Sequence, residues 1–88
     1  MKKNLLNYLI LIEKEKTKKG YIYVSHVPSL GISDFGKNVD ETVNNTERAI
    51  KIYLKTLSDL KKEIPQVNAE EYFVVNKKIE FTSPITVV

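Results

Sequence analysis

The chain has 88 residues, 42% hydrophobic and 28% charged, with a formal net charge of +3 and no cysteine. That length supports one core, read here as a single domain 1–88 with a core over 5–65 and a C-terminal strand segment over 66–88. The composition excludes a disordered chain, and the missing cysteines exclude disulfides and thiolate metal sites.

Met1-Lys2-Lys3 followed by Leu5–Ile12 mimics the start of a signal peptide. Asn7 interrupts the run, however, and Glu13 follows with no small-residue cleavage site. The run is also far short of the about 20 apolar residues that span a membrane. The expectation is a cytoplasmic protein. Leu5–Ile12 reads as a strand, with Leu6, Tyr8, Ile10 and Ile12 on one face and Leu5, Leu9 and Leu11 on the other. Apolar residues on both faces predict a central strand covered on both sides. Glu13–Lys19 reads as a hairpin connection ending at Gly20, with Lys14, Lys16, Lys18 and Lys19 at a solvated tip.

Tyr21–His26 is aromatic and β-branched, the composition of a second strand. Val27-Pro28-Ser29-Leu30-Gly31 reads as a turn, and Ile32–Phe35 as a short third strand. Gly36 then turns the chain into a helix. Asn38 is a good N-cap, and Glu41 stands where a capping box closes. Val43, Ile50, Tyr53, Leu57, Leu60 and Ile64, with Thr46 filling one gap, form the stripe of an amphipathic helix. Asp40 and Glu41 suit its positive end, Lys61 and Lys62 its negative end, and Pro65 marks the stop. Beyond it, Tyr72–Val75 and Ile79–Thr82 read as strands, and Ile85–Val88 as a short edge strand. The predicted fold class is α+β: a three-stranded antiparallel sheet, one long helix on one face, then further strand (βββαβ).

The run Gly20–Pro65 resembles the HicB antitoxin family. The resemblance rests on the aromatic strand Gly20-Tyr21-Ile22-Tyr23-Val24, the turn Pro28-Ser29-Leu30-Gly31, and Gly36-Lys37-Asn38-Val39-Asp40-Glu41-Thr42 opening the helix. Asn45, Glu47, Ala49, Ile50 and Tyr53-Leu54 continue that helix in the family's manner. Ser29, Asn38 and Thr42 stand where the family usually has an acidic residue, threonine and alanine, and a second proline of the turn is missing. The resemblance implies a reduced RNase H-like fold and a non-catalytic protein that binds and blocks HicA, a small mRNA-cleaving toxin. The part after Pro65 reads as strand and loop, so the chain looks like the stand-alone HicB-like proteins that lack a helical DNA-binding domain.

An RNase H-like ancestry raises the question of metal-binding carboxylates, which must converge on ions about 4 Å apart. Glu13, Glu15, Asp34, Asp40 and Glu41 are the candidates, and helix electrostatics already accounts for the last two. His26 is the only histidine, and with no cysteine it cannot complete a zinc site. Gly31 and Gly36 lack phosphate-loop spacing. We therefore expect no enzyme, metal or cofactor. With Arg48 the only arginine, tight DNA readout is not expected either. The expected partners are a HicA-like toxin and a second copy in a homodimer. The candidate interface residues are Tyr21, Tyr23, Tyr72, Phe73, Ile79 and Phe81. The alternative is a stand-alone oligomeric module for RNA or an unrelated protein.

Overall fold

Alternation along Glu13-Lys14-Glu15-Lys16 has the period of a strand. In the computed structural model, which describes residues 5–65 and 73–84, that run lies inside one. Strands β1 (Leu11–Thr17), β2 (Gly20–Val27) and β3 (Ile32–Gly36) form an antiparallel sheet in the order β1-β2-β3, and helix α1 (Val39–Asp59) follows. The fold is α+β, with the helix laid on one face.

The first strand sits later than the apolar run predicts. Glu13–Thr17 are not a connection but pair with Gly20–Val24, and only Lys18 and Lys19 turn the chain. Two local features permit so tight a turn. Gly20 takes φ 138°, which side chains disfavour. The Thr17 hydroxyl accepts the Lys19 N–H at 3.3 Å and donates to the Gly20 carbonyl at 3.2 Å. Charges are tolerated along β1 because it is an edge strand, and the central strand is β2. Leu5–Ile10 carry no ladder, yet Leu6, Tyr8 and Ile10 do share one face, which leans on α1.

After β2, the Val27 carbonyl accepts the N–H of Leu30 at 3.1 Å and of Gly31 at 2.9 Å, and Gly31 takes φ 68°. β3 then runs back to Gly36. A Cβ there would lie 2.8 Å from both the backbone nitrogen and the hydroxyl of Thr42. Glycine is thus what lets α1 start so close to the sheet. Asn38 Oδ1 caps the helix by accepting the Glu41 N–H at 2.7 Å. The return arm from the Glu41 carboxylate is not formed.

The buried face of α1 has the expected phase but different occupants. Thr42, Thr46 and Ile50 are buried and Leu57 is half-buried, whereas Val43, Tyr53 and Leu60 are exposed. The helix also stops earlier, at Asp59 with Leu60 as C-cap. Lys61 is in the left-handed region at φ 56°, the Lys62 N–H reaches the Leu57 carbonyl at 2.9 Å, and the Lys61 N–H reaches that of Ser58 at 3.0 Å. This is a Schellman ending in which lysine occupies the position that favours glycine. Pro65 therefore follows the stop rather than causing it.

Residues 73–84 are exposed and carry neither helix nor ladder. The strand expected over Tyr72–Val75, described from Phe73 onward, and the one expected over Ile79–Thr82 are thus not formed in the isolated chain, because an extended segment becomes a strand only beside a neighbour. Tyr72 and the expected strand Ile85–Val88 lie outside the described residues.

Candidate functional site

Strand alternation sorts the sheet into two faces. Ser25 bonds to Thr46 on the helix, so Tyr21, Tyr23, Ser25 and Val27 share the helix side of β2. Directly paired residues share a face, which places Ile12, Lys14 and Lys16 on that side too. Leu11, Glu13, Glu15, Ile22, Val24, His26 and Phe35 lie on the open side. The Glu-Lys alternation of β1 thereby separates acid from base across the sheet.

Between sheet and helix the seam is polar. Ser25 Oγ and Thr46 Oγ1 are 2.6 Å apart, Thr46 Oγ1 is 2.6 Å from the Thr42 carbonyl, and Ser25 Oγ is 3.2 Å from the Asp34 carbonyl and accepts the Asp34 N–H at 3.0 Å. Two hydroxyl protons serve these contacts. The shorter pair of bonds selects Ser25 donating to Thr46 and Thr46 donating to Thr42. Thr42 Oγ1 donates to the Asn38 carbonyl at 2.7 Å, with the Tyr23 carbonyl at 3.2 Å on its other side. The seam is fully satisfied, so it fixes the fold and offers no free group to a ligand.

Of the six candidate interface residues, the structure brings Tyr21 and Tyr23 together on β2. Tyr21 is 55% exposed, with Lys14 Nζ 4.2 Å over its ring, while Tyr23 is half-buried beside the start of α1. Phe73, Ile79 and Phe81 form a separate group on the 73–84 segment, and all are strongly exposed. Tyr72 lies outside the described residues. Sequence reasoning passed over a third apolar group, the pairing of Val24 with Phe35 on the open face, where Phe35 is 61% exposed. The period-two spacing of Ile22, Val24 and Phe35 across a hairpin was the available signal. A shallow groove of about 300 Å³ lies between Leu6, Tyr8 and Ile10 on one side and Glu47, Ile50, Lys51 and Leu54 of α1 on the other. Tyr8 donates its hydroxyl to the Pro65 carbonyl at 2.5 Å, and burial raises its pKa above the ordinary 10.0.

The carboxylates do not converge. Glu13 and Glu15 are on the open face, Asp34 is on the helix side of β3, and Asp40 lies in the first turn of α1. No cluster of three or more metal-binding side chains occurs among the described residues. His26 is exposed on the open face. Among the described residues no helix is long and apolar enough to cross a membrane.

Fold and surface together define a small βββα protein that presents apolar and basic faces around a closed polar seam. The chain belongs to the UPF0150 family. It is 37% identical over 70 residues to UPF0150 protein Ta0767 of Thermoplasma acidophilum, covering 78% of this chain and 97% of that protein. No family model matches the chain, and no solved structure matches it significantly.

Proposed function

We propose that this UPF0150 protein is a HicB-like antitoxin. It binds a small HicA-type ribonuclease and occludes it in the cytoplasm, where the toxin meets mRNA, and it does no chemistry of its own. The observation that carries this reading is how the HicB-like residues are used. Gly31 supplies a left-handed turn, Gly36 the close approach of Thr42, and Asn38 the helix cap, so the resembling run is also the β2–β3–α1 frame. The UPF0150 relative supports the family side of the argument. A partner would be held by surface: the Tyr21–Tyr23 strip, the open face around Phe35, or the 73–84 segment.

The test is purification from the native cell under mild conditions. The expected result is a small basic ribonuclease that co-purifies, is silent in the complex, and cleaves RNA once separated. Recovery of the chain without such a protein contradicts the proposal. A second reading, a stand-alone oligomeric module for RNA, draws on Lys14 and Lys16 sharing a face with Tyr21. Co-purification of RNA in place of a toxin would favour it.

A further inference from the structure

The β1–β2 hairpin is chemically two-sided. On the helix side Lys16 pairs with Tyr21 and Lys14 with Tyr23, while Glu13 and Glu15 lie on the open side. Lys18 and Lys19 form the turn at the same end of the sheet. Helix α1 packs on β3 and β2, and Lys14 and Lys16 on β1 are exposed. The ion pairs among the described residues, Lys51–Glu47 and Lys55–Asp59, are both on α1. The hairpin cations thus have no carboxylate partner among those residues. The helix acids at this end, Asp40 and Glu41, sit in the first turn of α1 and pair with none of them.

Two features select a ligand class. Alternate residues of a strand are about 6.8 Å apart, so Lys14 and Lys16 present ammonium groups at the interval of successive phosphates on an extended nucleic-acid strand. Beside them Tyr21 is 55% exposed, with the Lys14 ammonium 4.2 Å from its ring centroid. A ring exposed beside a cation takes a base on its π-face while the cation meets the adjoining phosphate. An acidic peptide would use the lysines and leave the ring idle. A duplex would do the same, because its bases are stacked on one another. Lysine is a point charge without the fork that reads base edges, and the hairpin holds no arginine, so the contacts go to phosphates and base faces rather than to sequence.

We propose that the helix side of the β1–β2 hairpin, namely Lys14, Lys16 and Tyr21 with the Lys18–Lys19 turn, binds single-stranded nucleic acid without sequence preference. The proposal rests on the RNA-binding reading rather than on the antitoxin one. The test is fluorescence anisotropy of the full chain with a labelled oligouridylate of about 12 nucleotides, a length one small module can cover. The expected dissociation constant is about 1–100 µM at physiological salt. The logarithm of the association constant should fall against log salt with a slope of about −2 to −3, as three or four lysines on single-strand phosphates require. Lys14→Gln/Lys16→Gln should weaken binding about tenfold and reduce the slope by about 1.4. Tyr21→Leu should weaken it about fivefold or more, and Tyr21→Phe, which keeps the ring, should not. Lys55→Gln, on the far half of α1, should leave binding unchanged. The lysine changes keep the side-chain stems on an exposed edge strand, so they decide the matter if Tyr21→Leu loses the fold. An oligodeoxyuridylate of the same length forms a second arm: either strand bound with these losses supports the proposal, and the tighter of the two names the source. Absence of binding overturns the proposal together with the RNA reading. Binding that the hairpin variants leave unchanged overturns the proposal alone. A duplex bound more tightly than the single strand, or polyglutamate competing equally well, would show that the ring takes no base and would also overturn it.

Discussion

From Val39 to Ile50, helix α1 buries two threonines and an isoleucine against β2 and β3; from Lys51 to Asp59 the same stripe carries Tyr53 and Leu57, and neither is buried. The more polar half is thus the covered one. At about 1.5 Å per residue the 21-residue helix is about 32 Å long and outruns a sheet whose three strands sit about 4.8 Å apart. Periodicity fixes which way a helix faces. What lies opposite each turn decides what that face buries. In the first half the sheet offers Ser25 and Gly36, a hydroxyl and a bare backbone, and threonine suits both. Among the described residues, the second half meets only the Leu6–Ile10 segment and the groove beside it.

The sharpest contrast between the halves comes from truncating their apolar residues. Ile50→Ala should destabilise the domain by about 2–5 kcal/mol, because the side chain is buried and its site cannot collapse freely. Ile52→Ala should stay within about 0.5 kcal/mol in the isolated chain, since Ile52 is 63% exposed. Equal losses in denaturant unfolding would break the comparison. Gly36→Ala comes next, at about 1–3 kcal/mol, because its Cβ meets the Thr42 backbone rather than a movable side chain.

A smaller effect tests the polar seam. Thr46→Val should cost about 1 kcal/mol, softened because Ser25 can redirect its proton to the Asp34 carbonyl. Adding Ser25→Ala should cost less than the sum of the two single changes, and an additive double-mutant cycle would show that the hydroxyls are uncoupled. At the helix end the sign reverses. Lys61→Gly should stabilise by about 0.5–1 kcal/mol, since glycine adopts φ 56° without strain. The smallest effect belongs to Tyr8, whose folded pKa is raised by burial. Its contribution is fully present below pH 10.0, the unfolded value, and is lost as pH rises through the folded one. Tyr8→Phe should therefore flatten the fall of the thermal midpoint at alkaline pH.

Local signals made most of the architecture legible. The aromatic and β-branched run gave β2, Pro28 and Gly31 gave the turn, and Asn38 gave the start of α1. The misplaced first strand shows where local signals stop. The apolar run Leu5–Ile12 is more strand-like than Glu13–Thr17, yet the tight Lys18–Lys19 turn fixes the register, and register alone decides what pairs with β2. The end of α1 was hidden because lysine, not glycine, takes the left-handed position. Tyr21, Phe73, Ile79 and Phe81, named from residue type alone, are exposed. The bond that caps Phe35 was not legible, since it depends on Asn45 reaching the Phe35 carbonyl across ten residues of sequence.

The central claim is that the first half of α1 builds the fold and the second half extends past the sheet. Amide hydrogen exchange along α1 of the full chain tests it directly. The amides from Val43 to Ile50 should exchange only through global unfolding. Those from Leu54 to Asp59 should exchange faster by at least about tenfold, through local opening of the uncovered turns. Uniform protection along the whole helix would contradict the account.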